Sequence, residues 1–143
     1  MDAVALILEH SVEVPVRLDF AWRFRTDVAT WNDPPARFIL DGPFVDGKAG
    51  TTIIPNQLPL KWHVRDVRIA EAFTIEMELD GAVLRAEWTF EEIADNRTRM
   101  TQRLVLAGPN AASYREQVQS GFGPTLADGM NRIAMQVEAA GKM

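Results

Sequence analysis

The chain has 143 residues, 47% of them hydrophobic and 24% charged, an ordinary globular composition at a length that suits one domain and is short for two. Its 15 basic residues are scattered among 20 acidic ones for a net charge of −5, which argues against nucleic acid as a partner, because phosphate contacts call for a basic face. Cysteine is absent, so disulfides, thiolate nucleophiles and cysteine–zinc sites are excluded.

The first ten residues carry Asp2 where a secretion signal carries basic residues, and no stretch approaches the roughly 20 apolar residues of a membrane span. A soluble, cytoplasmic chain forming a single domain over 1–143 is the expectation.

From the N-terminus, Leu6, Leu8, His10, Val12 and Val14 share one parity, and Glu9, Ser11 and Glu13 the other. A period of two predicts a half-buried strand. Leu18, Ala21, Trp22 and Arg25 then fall at helical spacing, with Asp19 placed favourably in the first turn. Thr26-Asp27 offers a break and a cap for one further turn ending at Trp31, and Asn32-Asp33-Pro34-Pro35 stops it.

From Ala36 to Gly108 the chain reads as strands and turns. Arg37–Leu40 leads through Asp41-Gly42-Pro43 and Asp46-Gly47 to a strand over Thr51–Pro55. Lys61–Ile69 follows. Its register is open: Trp62 and Val64 facing inward would carry Asp66 inward and His63 outward, but Val67 breaks that parity. In Ala72–Leu79, Phe73, Ile75, Met77 and Leu79 oppose Thr74, Glu76 and Glu78, and Asp80-Gly81 is a hairpin signal. Leu84, Ala86, Trp88 and Phe90 share a face of the next strand, and Met100, Gln102, Leu104 and Leu106 a face of the last, Thr98–Leu106. Such alternation marks an antiparallel sheet with one wet face.

Beyond Gly108-Pro109 the pattern is helical. Ser113 and Glu116 have the spacing of a capping box, and an apolar stripe runs from Tyr114 through Val118, Phe122, Leu126, Met130 and Ile133 to Val137. Gly121, Gly123 and Pro124 interrupt it, which predicts a kink. The fold class is therefore α+β: a curved seven-stranded antiparallel sheet wrapped around a long C-terminal helix, with two short helices between strands 1 and 2. One helix does not close a strongly curved sheet completely, so an internal cavity is expected.

This order of elements resembles the SRPBCC superfamily, the START-like or helix-grip proteins, in its polyketide cyclase/dehydrase-like branch. The segment Trp22-Arg23-Phe24-Arg25-Thr26-Asp27-Val28-Ala29-Thr30-Trp31 is similar to that family's helix-to-helix passage. So are Leu40-Asp41-Gly42-Pro43-Phe44 with Gly47 and Gly50, Trp88-Thr89-Phe90-Glu91 with Thr98-Arg99-Met100-Thr101, and Gly108-Pro109 before the last helix. The resemblance covers nearly the whole chain. It implies an apolar or aromatic small molecule held between sheet and helix, and it supplies no catalytic motif that could be carried over.

The expected cavity walls are Met77, Leu84, Ala86 and Trp88, then Met100 and Leu104, then Phe122 and Met130, with Trp62 as a further aromatic wall. Trp22 and Trp31 are read as core packing. His10 has two readings, an imidazole that orients a ligand or moves a proton, and a half-buried histidine satisfied by the backbone. Gln102 equally orients a ligand or bonds a neighbouring side chain. His63 is read as facing water.

Two well-separated histidines and no helical His/Glu spacing argue against metal, and no cofactor is implied. Gly42–Ala49 has the glycine and lysine spacing of a phosphate loop, but Ala49 replaces the required Ser or Thr and a strand follows. It is a hairpin connection. The expected function is binding or carriage of a small hydrophobic or aromatic ligand by a monomer or homodimer. The alternative is a cyclase or aromatase closing or dehydrating a ring in the same cavity, with His10 the one weak catalytic candidate.

Overall fold

The computed structural model describes residues 3–142, so Asp2 lies outside the described residues. Strand β1 (Val4–Val14) leads into α1 (Leu18–Arg25) and a 3-10 turn (Val28–Thr30). Six strands follow: β2 (Arg37–Leu40), β3 (Ala49–Ile53), β4 (Leu60–Arg68), β5 (Ala72–Leu79), β6 (Ala82–Ala94) and β7 (Arg97–Ala107). A second 3-10 turn (Ala111–Tyr114) precedes α2 (Arg115–Phe122) and α3 (Leu126–Gly141). The strands form one sheet in the order β1-β7-β6-β5-β4-β3-β2, every pairing antiparallel. No helix among the described residues is long and apolar enough to cross a membrane.

The alternating residues take the faces their parity predicts. Phe73, Trp88, Phe90, Met100 and Leu104 are buried beneath the helices. On the outer face Arg85 bridges Glu76 at 2.8 Å and Asp66 at 2.7 Å. Asp27 caps the 3-10 turn, its carboxylate accepting from Ala29 N at 3.1 Å. Trp22 is core, edge-on to Phe73 and Phe90 with centroids 6.0 and 5.2 Å apart. At Gly42–Ala49 the chain does run into a strand, β3.

Four details depart from the sequence reading. Strand β3 begins at Ala49, two residues early, because Gly50 pairs with both Leu40 and Trp62. Strand β4 resolves its ambiguous register with an irregularity between Arg65 and Arg68. Trp62 and Val64 are buried, but Asp66 takes φ 52° and turns outward to Arg85, so the inward placement conditional on Trp62 is overturned. The extra residue returns Val67 to the core side. Ser113 caps no helix: its hydroxyl donates to Asn110 O at 2.8 Å within the 3-10 turn, and α2 starts without a side-chain cap.

The fourth concerns the predicted kink, which is a complete break. Helix α2 stops at Phe122 and α3 restarts at Leu126, with Thr125 Oγ1 donating to Gly121 O at 3.0 Å. Proline supplies no N–H to continue the ladder, and the flanking glycines remove stiffness. Of all the strands, α3 packs chiefly against β1, at one edge of the sheet. The inner face further along the sheet is left partly uncovered.

Candidate functional site

Two buried clusters share the inner face. One gathers Trp22, Phe73, Trp88, Phe90, Met100, Met130 and Val137, with Ile75 and Ala86 at its margin. The other gathers Leu6, Ala82, Leu84, Leu106, Ala111 and Val118, with Met77 at its margin. They do not merge. Ile75, Ala86 and Trp88 of the first and Met77 and Leu84 of the second line a cavity of about 290 Å³.

Small residues make the void. On β6, Ala86 stands between the larger Leu84 and Trp88 on the same face, and Gly129 of α3 also lines the cavity. A side chain added at Gly129 would find open space, the nearest atom being Arg132 Nη2 at 4.0 Å.

Of the residues singled out from sequence, Trp62, Met77, Leu84, Ala86, Trp88, Gln102, Leu104 and Phe122 line this cavity. His10, Met100 and Met130 do not. Inward parity brings a residue to the helix side of the sheet, but α3 packs chiefly on β1, and half-buried His10 of that strand is not among the residues lining the cavity. Met100 and Met130 are 0% and 1% exposed, consumed by the first cluster. His63 is half-buried on the outer side of β4. Among the described residues, no three His, Asp or Glu side chains gather to hold a metal ion.

Sequence reasoning missed the apolar lining residues Trp31, Phe38, Ile75 and Ile133 and every polar one except Gln102. Arg25 ends α1 and lines the cavity, its guanidinium carbon 4.6 Å from the Trp31 ring centroid and 4.3 Å from that of Trp88. Trp31 is thus cavity wall as well as packing, fixed by its Nε1 donating to Arg25 O at 2.8 Å. No carboxylate among the described residues pairs with Arg25, and its Nε is buried without a hydrogen-bond partner. Burial pulls the guanidinium down to about 9, so it remains cationic at neutral pH. The signal was present: Arg25 occupies an apolar-stripe position of α1, where a charge needs a reason.

The exposed lining residues Asn32, Asp33, Phe122 and Arg132 mark the mouth. Arg132 Nη1 meets Asp33 Oδ1 at 3.0 Å, and Gln136 Nε2 donates to Asn32 O at 3.2 Å, tying α3 to the segment before β2. Both ion-pair partners are more than half exposed, where such a pair contributes about 0–1 kcal/mol. Asp33→Ala is therefore expected to leave the melting temperature within about 3 °C of the parent while raising the dissociation rate of any bound molecule, read by stopped-flow tryptophan fluorescence.

No family model matches the chain, and no curated protein matches it. Solved structures do. The aromatase/cyclase Zhui from Streptomyces sp. R1128 superposes with a TM-score of 0.71 at 16% identity, over 93% of each chain. Norcoclaurine synthase from Thalictrum flavum gives 0.70 at 12% identity, over 95% of this chain and 97% of that one. Protein Ms6760 from Mycobacterium smegmatis gives 0.65 at 18% identity, over 95% and 90%. The chain shares the helix-grip fold of these structures, as its element order and alternating strands predicted.

Proposed function

We propose that this protein binds a small apolar or aromatic molecule in the cavity between its sheet and α3, as a carrier or binding protein. The observation that carries this reading is the gap of about 290 Å³ between two separate core clusters. Protein interiors otherwise close-pack, so a void of this size with a mouth is structure kept open for a ligand. Its volume lies at the low end of the roughly 300–1,000 Å³ of small-molecule sites, which suits one or two rings rather than a long acyl chain. Trp31, Phe38, Trp62 and Trp88 give it an aromatic wall. The same fold in Thalictrum norcoclaurine synthase has been seen in complex with dopamine and hydroxybenzaldehyde, which fits an aromatic occupant.

The alternative, ring closure or dehydration, requires a positioned acid–base group. The imidazole that the sequence offered does not line the cavity. The lining's charged groups are Arg25 and the Asp33–Arg132 pair. This distribution favours binding over catalysis.

Gly129→Leu tests the reading without emptying any core. Leucine is better than glycine inside a helix by about 1 kcal/mol, so the variant is expected to melt no lower than the parent. Its side chain enters the cavity, so affinity for a two-ring probe, 2-naphthylmethanol, is expected to fall at least tenfold by calorimetry. Unchanged affinity in a folded variant would place the ligand elsewhere. Native mass spectrometry of freshly purified protein is expected to show a bound apolar molecule that Gly129→Leu excludes.

A further inference from the structure

The cavity has a charge that nothing in it balances. Of its charged lining residues, Asp33 and Arg132 pair with each other across the mouth at 3.0 Å. That leaves Arg25, inside, on a protein whose net charge is −5. No ion pair among the described residues includes Arg25, and Trp31 and Trp88 rather than a carboxylate are its neighbours, at 4.6 and 4.3 Å. Its Nε has neither a protein partner nor exposure.

A buried cation without a counter-ion is costly and is uncommon unless it meets one some of the time. The two indoles lower that cost through the ring quadrupole, yet they cannot accept the in-plane N–H groups of the guanidinium. Lying over both rings also restricts how the group can turn. A planar, pre-oriented fork of donors is the arrangement that carboxylates meet with two parallel hydrogen bonds.

We infer that the ligand is a flat aromatic or polycyclic monoanion whose carboxylate is held by Arg25 while its ring lies against Trp62, Trp88 and Leu84. This rests on the small-molecule reading above and names the class of molecule within it. One unmatched positive charge fits a single negative one; a phosphate dianion would bring its own unmatched charge into a cavity of about 290 Å³. Gln102, opposite Trp88 in the β6–β7 register and also lining the cavity, stands near enough to the Trp88 platform to serve a second polar atom.

The experiment compares two probes of the same shape, 2-naphthoate and 2-naphthylmethanol, by calorimetry at neutral pH. The parent protein is expected to bind the carboxylate at least tenfold more tightly than the alcohol. Arg25→Gln is expected to cancel that preference, weakening 2-naphthoate at least tenfold and 2-naphthylmethanol less than threefold. Arg25→Lys, which keeps the charge but loses the stacked fork, is expected to recover part of it. A variant that merely loosened the fold would weaken both probes together, so the ratio reports the charge contact. Equal affinity of the parent for both probes, or a carboxylate preference that survives Arg25→Gln, would overturn the inference while leaving an apolar binding site intact. Binding of neither probe would overturn both.

Discussion

Gly50→Ala is expected to destabilise the protein by about 3 kcal/mol, the upper part of the range for overpacking a close-packed site. Gly50 is the second residue of β3, directly opposite Trp62 of β4. Its backbone needs no special conformation. What it lacks is a Cβ, and an added one would overlap the Cη2, Cζ3 and Cζ2 atoms of the Trp62 indole. A glycine covered by a cross-strand aromatic is a known way of filling the space a missing side chain leaves. The ring has little room to withdraw, since Trp62 is 3% exposed, its Nε1 donates to Thr52 Oγ1 at 3.0 Å, and Trp31 lies 5.6 Å away. Moving it breaks the hydrogen bond, exposes indole surface and disturbs the wall that Trp31 and Trp62 share. A drop in melting temperature of about 10 °C is the corresponding readout for a chain of this size, with a red shift of tryptophan emission as Trp62 meets water. A Gly50→Ala protein that melts and fluoresces like the parent would show that the Trp62 ring does not rest on Gly50.

Much of this arrangement was legible before any coordinates. Period-two alternation gave Trp88, Gln102 and Leu104 their inward faces because the period is a property of the backbone, independent of what packs above it. The same logic left the register open at Asp66, where Val67 signalled a break in parity and one residue with positive φ supplies it. It failed for His10. Parity says which side of a sheet a residue faces but not what lies over that side, and the placement of α3 on β1 rather than over the sheet's middle is a tertiary fact. Ser113 and Glu116 had the capping spacing, yet the chain turns once in a 3-10 turn before α2 begins, so the spacing spans two elements. Pro124 and its glycines, by contrast, broke the helix where local chemistry required it. Arg25 fell at helical spacing with the apolar residues of α1, but spacing alone does not say whether a long charged side chain at a helix end turns inward or reaches solvent.

Arg25→Met is expected to make the unliganded protein more stable at neutral pH, by about 1–3 kcal/mol. In the parent, folding buries the guanidinium Nε without a hydrogen-bond partner, leaves Arg25 half-buried overall, and returns no carboxylate to it. Met keeps much of the volume and apolar contact with Trp31 and Trp88 and carries no charge; the gain is the desolvation penalty less the cation–π attraction that is lost. The pH dependence gives the check. Burial lowers the folded-state value from the ordinary arginine range to about 9, so the unfolded chain holds this proton more firmly than the folded one. The parent's penalty is therefore complete below about pH 9, shrinks as pH rises through that value, and is gone above the ordinary arginine range. No nearby carboxylate offsets it, since the cavity's Asp33 is committed to Arg132. Urea unfolding at pH 7 and pH 10.5 should then show Arg25→Met ahead of the parent at the lower pH, with the margin narrowing at the higher. A variant less stable than the parent at pH 7 would mean that the stacked guanidinium holds the Trp31–Trp88 wall together. If the variant is instead the more stable, the parent keeps Arg25 at the expense of its own stability, as expected of a group retained to meet a ligand.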